Sequence, residues 1–73
     1  MDIKVKVGSL LKEEREKKGL TQETLSQKSG IDRTFISHIE TGSRNVSIET
    51  LDKILAGLNI TFSDFFKQKT FKK

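Results

Sequence analysis

The fold is decided by residues 21–42, which read TQETLSQKSGIDRTFISHIETG. Thr21 is a good N-cap, because its side-chain oxygen can accept a hydrogen bond from a free amide of the following turn. A helix is therefore expected over about residues 22 to 28. Gly30 follows this helix and tolerates the positive φ of a tight turn. The first half of the stretch thus predicts a short helix that ends in a turn.

A second helix is expected after this turn. Asp32 is its N-cap, and the helix should run to about Thr41, where Gly42 ends it. A helix-turn-helix needs apolar residues where its two helices cross and a turn residue such as Gly30. The crossing positions carry Leu25, Ile31, Ile36 and Ile39. Both requirements are met, so the stretch predicts a helix-turn-helix.

The residues before this motif predict another helix. Apolar residues recur at helical spacing from Val7, and Gly19 can supply a left-handed cap, so a helix is expected from about residue 6 to about residue 18. Ile3, Val5 and Val7 also alternate with lysines, as in a strand. A single segment of this kind has no evident pairing partner.

Two more helices are expected after the motif. Ser47 is the N-cap of a fourth helix, whose apolar residues recur at spacings of three and four and predict a core-facing stripe. The stripe consists of Ile48, Leu51, Ile54, Leu55 and Leu58. Thr61 and Asp64 form a capping box that starts a short last helix. The whole pattern predicts an all-α fold, a five-helix bundle in a single domain over residues 1–73.

Composition argues against several kinds of site. The chain has 73 residues and no cysteine, which excludes disulfides and thiolate zinc sites. Its one histidine, His38, has no second histidine or cysteine near it, and we expect neither a metal nor a cofactor. No segment approaches the roughly 18 apolar residues of a membrane span, and no signal peptide is evident. A soluble cytoplasmic protein is therefore expected.

The net charge of +4 is weak evidence for a nucleic-acid partner. The last acidic residue is Asp64, and without the lysines after it the remaining 10 basic residues balance the 10 acidic ones. Those lysines are Lys67, Lys69, Lys72 and Lys73. A solvated, frayed terminus explains this basic tail more simply than a phosphate-binding arm does. A local cluster of polar residues is better evidence.

The second helix of the motif carries side chains that suit base recognition. In a helix-turn-helix, residues near the N-terminal end of the second helix reach base edges in the major groove of double-stranded DNA. Here they are Arg33, Thr34, Ser37 and His38. Arg33 suits a bidentate contact to guanine, with a solvated charge as the alternative, and Thr34 suits a thymine methyl group or a base acceptor. Phe35 either packs inward or covers a thymine.

Three other residues are candidates for contact with the DNA backbone. Gln22 opens the first helix of the motif, where its side chain and the helix amides could hold a phosphate. Arg44 and Asn45 lie in the loop after the second helix, within reach of the backbone or of neighbouring bases. A plain loop role fits these two residues equally well.

No catalytic residues are expected. Asp32, Ser37 and His38 include the residue types of a hydrolytic triad. Adjacent helical positions point about 100° apart, so Ser37 and His38 cannot face each other as nucleophile and base. A chain of this size also has little core to spare for a concave active site. The sequence therefore favours a binding protein over an enzyme.

Aromatic residues crowd the last part of the chain. Four of the five phenylalanines lie in the last twelve residues, more than four short helices would readily bury. Part of this surface is expected to meet a second subunit. The candidate interface residues are Ile60, Phe62, Phe65 and Phe66. The rival hypothesis is a protein-interaction module, such as an antitoxin or adaptor, that uses this surface and does not read DNA.

The chain from about Val7 to Phe66 resembles the Cro and phage-repressor type of helix-turn-helix regulator. The segments that carry the resemblance are residues 20–42, SRNVS at 43–47 and LDKIL at 51–55. Within that superfamily the chain is most similar to the controller proteins of restriction-modification systems, which often have tyrosine in place of Phe35. The residues that carry this closer likeness are DRTFIS at 32–37, Ile39, Glu40, Arg44 and Asn45.

The resemblance implies a lambda-repressor-like fold and a homodimer on inverted-repeat operators. It implies regulation of the protein's own gene and of the endonuclease gene, and it allows two dimers on adjacent sites and contact with RNA polymerase. A generic phage-type repressor is the alternative. Arg15 and Glu40 match an arginine–glutamate pair that the family buries. Ser26 stands where the family usually has alanine, and its hydroxyl should need a backbone acceptor.

Overall fold

Five helices follow one another in the computed structural model, which describes residues 2–68. They are α1 (Ile3–Lys17), α2 (Gln22–Ser29), α3 (Arg33–Glu40), α4 (Ile48–Leu58) and α5 (Phe62–Phe66). The described part of the chain contains no strand, so the predicted all-α, five-helix architecture is confirmed. The lysines at 69, 72 and 73 of the predicted basic tail, and the last phenylalanine at 71, lie outside the described residues.

Each helix begins at a polar side chain that accepts a hydrogen bond from an amide of the first turn. These N-caps are Asp2, Thr21, Asp32, Ser47 and Thr61. The predictions for the last four are confirmed, and each such cap typically contributes about 1 kcal/mol to stability. Short helices depend strongly on these contacts because so few of their amides have partners within the helix.

The prediction for the start of the first helix is wrong by three residues. The helix begins at Ile3, because the Asp2 carboxylate accepts a hydrogen bond of 2.9 Å from the Lys4 amide. Ile3 and Val5 are therefore helical, and their alternation with lysines does not mark a strand. The cap at Asp2 decides the local conformation, since the segment has no strand to pair with.

All five helices contribute buried side chains to a single hydrophobic core. α2 packs against α4 and α3, and α1 packs against α3. The buried apolar residues are Val7, Leu10, Leu11, Leu25, Ile36, Ile39, Leu51, Ile54, Leu55, Leu58 and Phe65. Ile48 was predicted to belong to this core, but its side chain is 74% exposed. Ile48 is the first residue of α4, directly after the Ser47 cap, and the buried face of the helix begins only at Leu51.

Close contact between α1 and α3 depends on a glycine. Gly8 is buried in α1, and a β-carbon at this position would overlap the backbone carbonyl oxygen of Ile39 in α3. Backbone atoms cannot give way as a flexible side chain can. Gly8 thus lets the first helix lie directly against the helix that carries the candidate base-reading residues.

Candidate nucleic-acid interface

The turn between α2 and α3 has the geometry that the sequence predicted. Gly30 has a φ of 75°, in the left-handed region, and its amide donates to the Ser26 carbonyl at 2.8 Å. The next residue, Ile31, is held at both of its backbone polar groups. The Ser26 hydroxyl donates to the Ile31 carbonyl at 2.5 Å, and the Ile31 amide donates to the Ser29 hydroxyl at 3.2 Å. The expected backbone acceptor for Ser26 is therefore present.

Helix α3 has one face in the core and one in solvent. Ile36 and Ile39 are buried, whereas Arg33, Thr34 and His38 are exposed. The Asp32 carboxylate accepts a hydrogen bond of 2.7 Å from the Thr34 amide and so fixes the start of the helix. The structure thus presents three of the candidate base-reading side chains to solvent on a helix whose other face is anchored.

Two further candidates on α3 lie at the edge of this exposed face. Ser37 and Phe35 are both half-buried, and the Phe35 ring packs against the core. Of the two alternatives for Phe35, the structure shows inward packing for much of the ring. Only the part of the ring that stays accessible could cover a thymine.

The end of α3 carries a polar cluster that the sequence did not predict. The hydroxyls of Thr41 and Ser43 both donate to the His38 carbonyl, at 3.1 and 3.0 Å. The ring nitrogen Nδ1 of His38 also lies 3.4 Å from the Ser43 oxygen. Hydroxyl residues on either side of Gly42 were the available signal, because such side chains often satisfy the last carbonyls of a helix.

A buried ion pair ties α3 to α1. Arg15 donates from Nε to Glu40 Oε2 at 2.8 Å and from Nη2 to Glu40 Oε1 at 3.0 Å. Both side chains are almost fully buried, and Arg15 also donates from Nη1 to the Leu20 carbonyl at 2.7 Å. The hydrogen bond and the negative charge of Glu40 raise the pKa of Arg15 above its ordinary value, although burial alone would lower it.

Gln22 joins this pair from the start of α2. Its Nε2 donates to Glu40 Oε1 at 3.0 Å, so a single carboxylate receives hydrogen bonds from two other helices. The glutamine nitrogen carries two hydrogens, and the second can still donate to a ligand. Gln22 is half-buried rather than a freely extended surface side chain. Its proposed role toward a phosphate is thus combined with a structural one.

The other candidate backbone contacts are accessible. Arg44 and Asn45 are both exposed in the segment between α3 and α4. Among the described residues, neither side chain forms a hydrogen bond with the base-reading candidates of α3. The loop therefore presents a cation and an amide to solvent just beyond the end of that helix.

The predicted interface residues divide into two groups. Phe65 is fully buried in the core of its own chain, so it offers no surface to a partner, contrary to the prediction. Ile60 and Phe62 are half-buried, and Phe66 is 41% exposed. The Phe66 ring stacks on Phe62 with 6.3 Å between centroids and meets Phe65 edge-on at 5.1 Å. Phe65 is the anchor that holds the exposed aromatic surface in place.

Over residues 2–68, none of the helices has the length and apolar character needed to cross a bilayer. The same part of the chain brings together no group of three histidine, cysteine or acidic residues suited to a metal ion.

Comparison with known proteins identifies the family. A helix-turn-helix family model matches residues 11–65. The control protein C.MunI of Mycoplasma sp. is 50% identical over 66 residues, which cover 89% of this chain and 89% of that protein. The solved restriction-modification controller protein C.AhdI from Aeromonas hydrophila is 43% identical and superposes with a TM-score of 0.82 over 86% of this chain and 96% of that one.

A solved protein–DNA complex is also similar. It contains the restriction-modification controller protein C.Esp1396I as a tetramer with its natural 35 base-pair operator. That protein is 41% identical to this chain and superposes with a TM-score of 0.93 over 100% of this chain and 99% of that one. From the family model, these identities and the shared fold, the chain belongs to the helix-turn-helix family and, within it, to the restriction-modification controller proteins.

Proposed function

We propose that this protein is a sequence-specific, double-stranded DNA-binding transcriptional regulator that reads its operator with α3. The observation that carries the proposal is the two-sided character of this helix. Ile36 and Ile39 anchor one face, and Arg33 and Thr34 stand exposed directly after the N-cap. The operator complex of the similar controller C.Esp1396I supports the same assignment.

In the proposed complex the N-terminal end of α3 enters the major groove. Arg33 donates to guanine O6 and N7, and Thr34 meets a thymine methyl group or a base acceptor. Ser37 and His38 lie farther along the helix and read or flank the neighbouring base pairs. Gln22, Arg44 and Asn45 hold the phosphate backbone and fix the position of α3 on the duplex.

We further propose that the protein acts as a homodimer. The partly exposed apolar surface after α4, formed by Ile60, Phe62 and Phe66, is the candidate interface. A twofold dimer would place two copies of α3 in successive major grooves, about 34 Å apart, which calls for an inverted-repeat operator. The tetramer of C.Esp1396I on its operator supports two dimers on adjacent sites.

The regulatory role follows from the family. We propose that the protein acts in the cytoplasm and controls its own gene and the endonuclease gene. At a promoter that it activates, it would contact RNA polymerase. Occupancy of the operator would then depend on the concentration of the protein, because dimerisation and DNA binding are linked by mass action.

The proposal is tested by letting the protein select duplexes from a randomised pool. Enrichment of an inverted repeat is expected, and the selected duplex should bind at least a thousandfold more tightly than a scrambled one at physiological salt. Equal affinity for the two duplexes would contradict sequence reading. The protein-interaction hypothesis predicts this second result.

A further inference from the structure

Ser26 connects the two helices of the motif through a side chain. It belongs to α2, yet its hydroxyl donates to the carbonyl of Ile31, in the turn before α3. Ser29, also in α2, accepts from the amide of the same residue. Ile31 is therefore held at both backbone polar groups by serines of the preceding helix, and we call these three residues the turn clamp.

The turn clamp acts at the pivot between α2 and α3. Three residues separate the helices, and the middle one is Ile31. The Ile31 side chain is half-buried against the core, which limits its translation. An apolar contact is non-directional, whereas the two hydrogen bonds fix the direction of the peptide units on both sides of Ile31. The clamp thus contributes to the angle at which α3 leaves the turn, together with the buried Ile36, Ile39 and Glu40 farther along the helix.

A small change in this angle matters for base recognition. Helix α3 has 8 residues and so is roughly 12 Å long. A tilt of roughly 10° about Ile31 would move the backbone at Ser37 and His38, toward the far end, by roughly 1.5–2 Å, and that at Arg33, next to the pivot, by roughly 0.5 Å. Recognition groups must be held within roughly 0.5 Å and 10–20° of their productive geometry. The candidate phosphate contacts are less affected, because Gln22 lies in α2, before the pivot, and the long Arg44 side chain tolerates a displacement better than a bidentate contact to a base does.

We propose that Ser26 is a positioning residue for base reading. Its hydroxyl orients the Ile31 carbonyl and thereby the base-reading face of α3, without touching DNA itself. This inference rests on the proposed function, because it concerns how α3 meets the bases. It assigns to Ser26 an effect on discrimination between DNA sequences rather than on general affinity for DNA.

The test is the substitution Ser26→Ala, which removes one oxygen and keeps a residue with high helix propensity. Affinities are measured on the duplex that the wild-type protein selects and on a scrambled duplex. The selected duplex should bind roughly three- to tenfold more weakly, because the misaligned α3 would lose the equivalent of about one hydrogen bond to a base. The affinity for the scrambled duplex should not change. Ser9→Ala, at an exposed position of α1, is the matched control and should change neither affinity.

The ratio of the two affinities separates positioning from stability. A variant that is merely less well folded would lose affinity for both duplexes by the same factor, and this result would overturn the proposal. If Ser26→Ala changed neither affinity, the proposal would be overturned as well. A failure of the proposed function is recognised earlier and separately, because the wild-type protein would then enrich no sequence from the pool.

A second measurement examines the turn directly. Amide hydrogen exchange of Ile31 should be faster in the Ser26→Ala protein than in the wild type, since the turn opens more easily without its side-chain bond. Exchange of the buried α4 amides should stay the same. Unchanged exchange at Ile31 would contradict the proposed action of the hydroxyl on the turn.

Discussion

Gln22 and Glu40 are 18 residues apart in the chain and are joined by a hydrogen bond of 3.0 Å between Nε2 and Oε1. The bond links the first residue of α2 to the last residue of α3. The same carboxylate is held by Arg15 of α1. Gln22, a candidate phosphate contact at the start of α2, is thereby fixed to the end of α3 and, through Glu40, to α1. Each of the three side chains can be tested separately.

Gln22→Ala should weaken DNA binding equally on all sequences. The substitution removes a side-chain amide that is proposed to hold a DNA phosphate, and it leaves Glu40 paired with Arg15. A loss of roughly two- to tenfold is expected on both the selected and the scrambled duplex, corresponding to one hydrogen bond. Fluorescence titration at constant salt measures both affinities. Gln27→Ala, an exposed glutamine of the same helix, is the control. A loss confined to the selected duplex would instead assign Gln22 to base recognition.

Arg15→Met should lower the free energy of unfolding by about 3–5 kcal/mol, because it leaves the Glu40 charge buried without its partner. Urea denaturation followed by circular dichroism measures the change. The control is Lys17→Met, which breaks an exposed ion pair of 3.3 Å with Glu14 and should cost less than about 1 kcal/mol. Adding Glu40→Gln to the Arg15 variant should recover part of the loss. Equal losses for the two single variants would contradict a special role for the buried pair.

This stabilisation should not depend on the ionisation of Arg15 near neutral pH. A cation whose pKa is raised on folding contributes fully below its unfolded value, and the contribution disappears only as the pH rises through the folded value. The pKa of Arg15 is raised from an ordinary value that is already strongly basic. The guanidinium therefore stays charged wherever the protein is studied at moderate pH.

Local signals in the sequence predicted the helices well. Thr21, Asp32, Ser47 and Thr61 cap their helices because a cap acts within three residues, which a sequence pattern can contain. The buried stripe of α4 was predicted for the same reason. Ile48 was assigned wrongly because the periodic pattern does not show where, within the first turn, the helix reaches the core.

The contacts between helices could not be predicted from such local signals. Arg15 and Glu40 are 25 residues apart, and only the family resemblance suggested their pairing. The hydrogen bond from Gln22 to the same carboxylate depends on how α2 crosses α3, which spacing alone does not give. Phe65 and Phe66 are adjacent and chemically identical, so the packing of α5 decides which ring is buried.

Arg33 and Arg44 should differ in what they contribute to binding. Arg33→Ala should cost about 1–3 kcal/mol and relax the preference at one base pair, since it removes a bidentate contact to guanine. Arg44→Ala should weaken binding on all sequences and reduce the slope of log affinity against log salt by about one. Titrations of single-base-pair variants of the selected duplex at several salt concentrations measure both effects. Arg33→Ala with an unchanged preference at every position would point to a solvated charge.

Gly8→Ala should destabilise the fold and displace α3. The added methyl group would overlap the Ile39 carbonyl oxygen, so α1 and α3 must separate. A cost of about 1–3 kcal/mol is expected from overpacking. Ser9→Ala, one position along the same helix but exposed, should change stability by less than about 0.5 kcal/mol. Thermal denaturation compares the two variants. A Gly8→Ala protein as stable as the Ser9 variant would mean that the helices separate at little cost.

Phe66→Asp should convert the proposed dimer into a monomer. The substitution places a charge on the exposed aromatic surface, where it would have to be desolvated at an interface. Sedimentation velocity over a range of concentrations measures the assembly state, and binding to the selected inverted repeat should weaken with it. Ile48→Asp is the matched control, because Ile48 is the most exposed large apolar residue among those described and lies outside the proposed interface. Loss of the dimer in the Ile48 variant, with Phe66→Asp still dimeric, would move the interface to the start of α4.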